Sequence, residues 1–285
     1  MTLSGKEHRL AFITLDLQDR DMTYYDLTID KYLQIKEALE NAEDDLNTQV
    51  TLLSIINECT EDELLDLPLG EYHKKVGDLA FLSESPQPRP NCPKTIKIDG
   101  EVYETVRDVK KFTAGQYIDY VTLIKNEDFY ATIPNILACF FIPKGKDYGK
   151  DYDIMEVAKK IRYNVSIGLA MDVCFFFSNE INSFNQLYAG LLGIKHKDKD
   201  EESGQGDEGE VEDSGDEDSA TEGFFQRWSW FYSIDAVSET LRISWDEVLQ
   251  KSVVEFLNIL SYRKDKNNWQ KESFKKANNI NGRTY

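Results

Sequence analysis

Residues 196–223, HKDKDEESGQGDEGEVEDSGDEDSATEG, limit what the rest of the chain can build. Between positions 198 and 222 there are thirteen acidic residues against one lysine, with Val211 the one large apolar side chain. Such a segment cannot bury enough apolar surface to offset the conformational entropy of ordering it. It is expected to be a disordered acidic loop inserted between helices. The fold must then come from the two flanking stretches, and the helices on either side are expected to pack against each other without it.

At 285 residues and 41% hydrophobic, the chain can bury one or two sizeable cores. Its formal charge is −19, of which −12 falls within 198–222. That balance argues against a broad basic face for nucleic acid. Because so much of the excess charge sits in one Gly/Ser-rich segment, it also argues against an acidic surface that imitates DNA. Cys59, Cys92, Cys139 and Cys174 are far apart with no C-x-x-C pair, which reads as reduced thiols of a cytosolic protein. The start, MTLSGKEHRL, has no apolar signal-peptide core. No apolar run approaches the roughly 20 residues a membrane helix needs; the longest, IPNILACFFIP, contains Pro134 and ends at Pro143.

The fold class expected is α+β: mainly α, with a small antiparallel sheet. TIKIDGEVYETV (95–106) is the clearest β signal. Two alternating runs flank Asp99-Gly100, a pair suited to a type I′ turn because both positions need positive φ. An isolated hairpin is marginal, so LAFITLD (10–16) is the expected third strand. Three N-terminal helix signatures stand out: Thr60 with Glu63, Thr113 with Gln116, and Ser244 with Glu247, each spaced as a capping box. IPNILACFF (133–141) reads as a buried helix, residues 142–153 as a Gly/Lys/Asp loop, and 154–192 as one long helix or two. The expected layout is an N-terminal strand plus helices (1–82), a Pro-rich linker (83–94), and a hairpin with helical core (95–195). The acidic loop (196–223), a C-terminal helical hairpin (224–266) and a flexible basic tail (267–285) follow.

The C-terminal pair holds three of the four tryptophans. Phe224, Phe225, Trp228, Phe231, Tyr232 and Leu241 are the candidate buried face of its first helix. Val248, Leu249, Val253, Phe256, Leu257 and Leu260 recur every three to four positions in the second, the stripe of an amphipathic helix. The aromatics read mostly as core. Because Trp and Tyr are enriched at binding hot spots, the rim formed by Trp228, Trp230, Trp245 and Phe256 is the candidate partner-binding surface.

No catalytic constellation is visible. His8, His73 and His196 sit in no nucleophile or ligand spacing. An EF-hand frame from Asp198 fails, because Ser203 stands where glycine is required and Gly209 where the closing glutamate belongs. PKGKDYGKDY (143–152) lacks the phosphate-loop spacing. No enzyme activity, cofactor or metal is expected.

Several segments in series carry a resemblance: TIKIDGEVYETVRDVKKFTAGQYIDYVTLIKN, NILACFFIPKGKDYGKDYD, the helix containing CFFFSNEI, and WSWFYSIDAVSETLRISWDEVLQKSVVEFLNILSYRKDK. Together they resemble proteins of the tail-gene region of tailed phages and prophages of Bacteroidetes-type hosts, in the manner of tail assembly chaperones. The resemblance covers most of residues 95–266, omitting the acidic segment. It implies a non-enzymatic, mostly helical protein of the host bacterial cytoplasm. Its partner would be the tape-measure or tail-tube protein, with neither nucleic acid nor membrane involved. The length, hairpin and acidic insert depart from simple chaperones, and leave a structural or connector component of the virion as the alternative.

Overall fold

Capped helix starts carry the plan of this fold. The computed structural model describes residues 22–42, 44–192 and 217–281. All three capping boxes form: Thr60 with Glu63, Thr113 with Gln116, and Ser244 with Glu247. In each, the hydroxyl accepts from the third helical amide while the long side chain returns to the cap amide, pairing two donors that a helix leaves orphaned.

The element order is α1 (Ile29–Glu40), α2 (Asp45–Asn57), α3 (Glu61–Leu65), α4 (Leu69–Gly77), β1 (Thr95–Ile98), β2 (Glu101–Thr105), α5 (Ala114–Leu123), α6 (Phe129–Ala138), β3 (Phe141–Pro143), α7 (Ile154–Asn164), α8 (Ile167–Gln186), α9 (Ala189–Leu192), α10 (Glu217–Leu241), α11 (Trp245–Gln250) and α12 (Val253–Asn281). Short 3₁₀ turns lie at Ala80–Ser83 and Val109–Lys111. The fold is mainly helical with one small antiparallel sheet, as the sequence implies.

Two pairs of helix starts clip the molecule together. Thr28 and Ser166, the caps of α1 and α8, form an isolated antiparallel bridge. The Ile29 amide donates to Val165 O at 3.0 Å and the Ile167 amide to Leu27 O at 2.8 Å. Thr113 and Ser252 repeat the arrangement for α5 and α12: Ala114 N donates to Lys251 O at 2.7 Å and Val253 N to Phe112 O at 2.9 Å. First-turn amides have no partner within their own helix; here each start satisfies the other.

The second clip corrects one expectation. The apolar stripe from Val248 to Leu260 does not lie on a single helix, because Lys251 is extended (φ −65°, ψ 154°) and divides it into α11 and α12. The C-terminal region is therefore three helices rather than a hairpin. Other boundaries differ as well. The sheet runs β1-β2-β3, with Tyr103 opposite Pro143 and Thr105 opposite Phe141. Its third strand comes from the end of the 133–141 segment, whose helix stops at Ala138; the strand expected at 10–16 lies outside the described residues. The β1–β2 turn is as expected, with φ of 50° at Asp99 and 83° at Gly100. Residues 154–192 form three helices, separated at Val165 and after Gln186. Residues 196–216 of the acidic segment lie outside the described residues. The last part of that segment, 217–223, already belongs to α10. Residues 267–281, expected as tail, continue α12.

All the elements except α3 and α4 feed one core. Phe112, Phe140 and Phe177 are fully buried at its centre. The Phe140 and Phe177 rings stack 3.7 Å apart, and Phe112 lies 5.9 and 5.8 Å from them. Ile98, Tyr103 and Phe141 close the core from the sheet, Ile29 and Ile35 from α1, and Val237, Val248, Val253 and Phe256 from the C-terminal helices. A satellite cluster of Val50, Leu53 and Leu64 holds α2 and α3 together. The Pro-rich stretch is a strap laid over α8 rather than a free linker. The buried carboxylate of Asp172 accepts from Arg89 N at 2.6 Å and from the Tyr25 hydroxyl at 2.8 Å, while Tyr24 donates to Glu84 O at 2.6 Å.

Candidate functional site

Helix α10 carries two stripes. Trp230, Ile234, Val237 and Leu241 recur at i, i+4, i+7 and i+11 and face inward; Ile234 and Val237 are buried and the other two pack against the core. Trp228, Phe231 and Tyr232 face outward and are exposed. The expectation that these three rings form the buried face is thus reversed. Phe224 and Phe225 fall where only the backbone is described. The inward stripe is readable in the sequence as a clean helical period; the greater aromatic mass lies on the opposite face.

The outward rings join a fourth from α11. Trp228 meets Phe231 edge-on at 5.6 Å between ring centres, and Phe231 meets Trp245 at 5.8 Å. Trp245 is exposed, and its indole N–H donates to Asp235 Oδ1 at 3.3 Å, which fixes the ring against α10. The result is a continuous aromatic ridge over the α10–α11 junction. Of the four candidate partner-binding residues, Trp228 and Trp245 stand on this ridge. Trp230 is half-buried and abuts Tyr117 at 6.2 Å, nearly perpendicular. Phe256 is fully buried and cannot touch a partner: position 256 lies on the core side of α12, between Val253 and Leu260.

Beside the ridge runs a groove of about 550 Å³ between α9, α10 and α12. Its apolar floor includes Leu191, Leu192, Trp230, Leu257 and Leu260, and its rim carries Lys125, Arg263, Lys264 and Lys271. Sequence reading did not find it, because its walls come from three helices far apart in the chain. The walls are cross-linked. Arg263 donates to Ala236 O and to Thr240 Oγ1 (3.2 Å) and pairs with Glu239 at 3.3 Å. Lys264 Nζ donates to Gly190 O, and Tyr188 to Asn258 Oδ1 at 3.1 Å.

Burial shifts several titratable groups of the interior. Desolvation pushes the thiols of Cys92, Cys139 and Cys174 up, to about 11, 12 and 12. They are therefore neutral and unreactive near neutral pH. Tyr148 donates to Asp119 Oδ2 at 2.8 Å and lies 3.5 Å from Cys139 Sγ; burial drives its hydroxyl far above the ordinary tyrosine range. His73 on α4 stacks edge-on against Tyr72 at 6.3 Å; His8 and His196 are outside the described residues. Among the described residues no three His, Cys, Asp or Glu side chains converge in a way that could hold a metal ion, and no helix is long and apolar enough to cross a membrane.

Comparison of the chain with protein-family models, with curated proteins and with solved structures returned no match in any of the three.

Proposed function

We propose that this chain is a non-enzymatic assembly protein, a phage tail assembly chaperone that binds the tape-measure protein during tail morphogenesis. The observation that carries the reading is the aromatic ridge. Trp228, Phe231, Tyr232 and Trp245 expose four large rings on two helices that are themselves anchored in the core. Exposed aromatic clusters on a rigid support are the composition of binding hot spots, where rings add contact area at little entropic cost. A chaperone of this kind must hold a long helical protein in solution. The ridge supplies apolar contacts, and a formal charge of −19 keeps the complex from self-association and favours Lys-rich helical segments.

The test is co-expression with a tape-measure protein from the same tail-gene cluster. The reading expects the tape-measure protein to move into the soluble fraction and to co-purify with this chain. A Trp228→Ala/Phe231→Ala double variant should lose the complex while retaining its helical circular dichroism. If nothing co-purifies with the unaltered chain, the reading fails. If the chain is instead stoichiometric in purified particles, it is a structural or connector component of the virion.

A further inference from the structure

The groove between α9, α10 and α12 has a charge opposite to that of the chain. The sequence holds 52 acidic residues against 33 lysines and arginines. Among the described residues the groove is lined by Lys125, Arg263, Lys264 and Lys271 and by no acidic side chain. Arg263 is engaged with Glu239, but among the described residues Lys125, Lys264 and Lys271 form no ion pair. Along α12 the lining side chains fall at Leu257, Leu260, Arg263, Lys264, Asn267, Asn268 and Lys271, one face of the helix. From Leu257 to Lys271 that face extends about 21 Å at 1.5 Å per residue, the length of roughly four helical turns.

We infer that this groove binds an amphipathic helix of a partner protein whose apolar stripe is flanked by Asp and Glu. The apolar floor accepts the stripe in the manner of helix-in-groove recognition. The cations on the rim meet the flanking carboxylates, setting orientation and excluding basic partners. The floor favours a peptide over a nucleic acid: its leucines offer no stacking surface for bases, Trp230 is half-turned into the core against Tyr117, and Tyr232 alone of the described lining rings is exposed, too few for a run of stacked bases. The groove meets the aromatic ridge at Tyr232, which lines both, but Trp228, Phe231 and Trp245 do not line it; the inference does not rest on the tail-assembly reading, which calls on the ridge and on the acidic surface.

The experiment uses the full chain and two labelled synthetic helices of about 18 residues, roughly five turns. Both carry Leu at i, i+3, i+4 and i+7; one has Glu on the flanks, the other Lys. Fluorescence polarisation should show the Glu peptide binding at least about tenfold more tightly than the Lys peptide, a difference that shrinks as salt rises. The exposed pair Lys125→Glu/Lys271→Glu should weaken the Glu peptide by about tenfold or more, with unchanged circular dichroism. Equal affinity for the two peptides, or no effect of the double variant, overturns the inference. Displacement of the bound peptide by a single-stranded oligonucleotide would assign the groove to nucleic acid and also overturn it. So would affinity that rises at least about tenfold on deleting residues 198–216, because the chain's own acidic segment would then be the occupant.

Discussion

Two aromatic residues eleven positions apart separate a surface ridge from a core. Phe256 is fully buried and Trp245 is 42% exposed. Truncating a buried phenylalanine to alanine costs about 3–5 kcal/mol, because the transfer free energy is lost and a cavity remains. For Trp245 the bound is smaller. A tryptophan presents about 200 Å², so a little over half, about 115 Å², is covered here, worth about 3 kcal/mol at 25 cal/mol/Å². Part of that cover persists in alanine and part exists already in the unfolded chain. The 3.3 Å bond to Asp235 is at the surface, where water replaces it at little cost. Trp245→Ala should therefore cost about 1–2 kcal/mol, roughly 2 kcal/mol less than Phe256→Ala. Urea unfolding followed by far-UV circular dichroism measures both, and at an m-value near 3 kcal/mol/M the two midpoints should differ by about 0.7 M. Equal losses would mean that Trp245 is a core residue and that the ridge is not a surface at all. The assignment of a partner-binding face to it would then fall.

Gly168 sits in the first turn of α8, and a Cβ there would stand 2.8 Å from the Tyr25 ring and 3.0 Å from the Tyr24 carbonyl carbon. Gly168→Ala should cost about 1–3 kcal/mol of stability and loosen the 22–27 segment, read as faster amide exchange at Leu27 and Ile29. Ser252→Ala removes the hydroxyl that accepts from Glu255 N at 3.2 Å and caps α12; a loss of about 1 kcal/mol is expected in thermal or urea unfolding. The three buried thiols predict a pH effect of definite sign. Their native values of about 11 to 12 lie above the ordinary value of 9.0, so the unfolded chain gives up those protons first. Their contribution is complete below pH 9 and is lost as pH rises from there toward 12, which a series of urea midpoints at increasing pH would follow. Near neutral pH a thiol alkylating reagent should modify Cys59 alone of the four, and the other three only in denaturant; mass spectrometry of digested protein reads the sites.

The features legible in the sequence are those fixed by neighbours a few residues apart. The capping boxes at Thr60, Thr113 and Ser244 depend on groups three residues away, and all three form. Asp99-Gly100 demands two positive φ angles, so the hairpin and its register follow from the pair itself. The mainly helical class with a small sheet follows from the periods of the apolar residues. Tertiary structure decided the rest, because each remaining feature joins residues remote in the chain. Lys251 is extended because its carbonyl accepts from Ala114, which breaks a stripe that local periodicity reads as continuous. Phe141 joins the sheet because Thr105 offers it an unpaired strand edge. The tryptophans on α10 divide between core and surface because that helix has two apolar stripes and one core to meet. The greater aromatic mass points to the outward one; the packing of Ile234 and Val237 against the core selects the other and leaves Trp228 and Phe231 facing water.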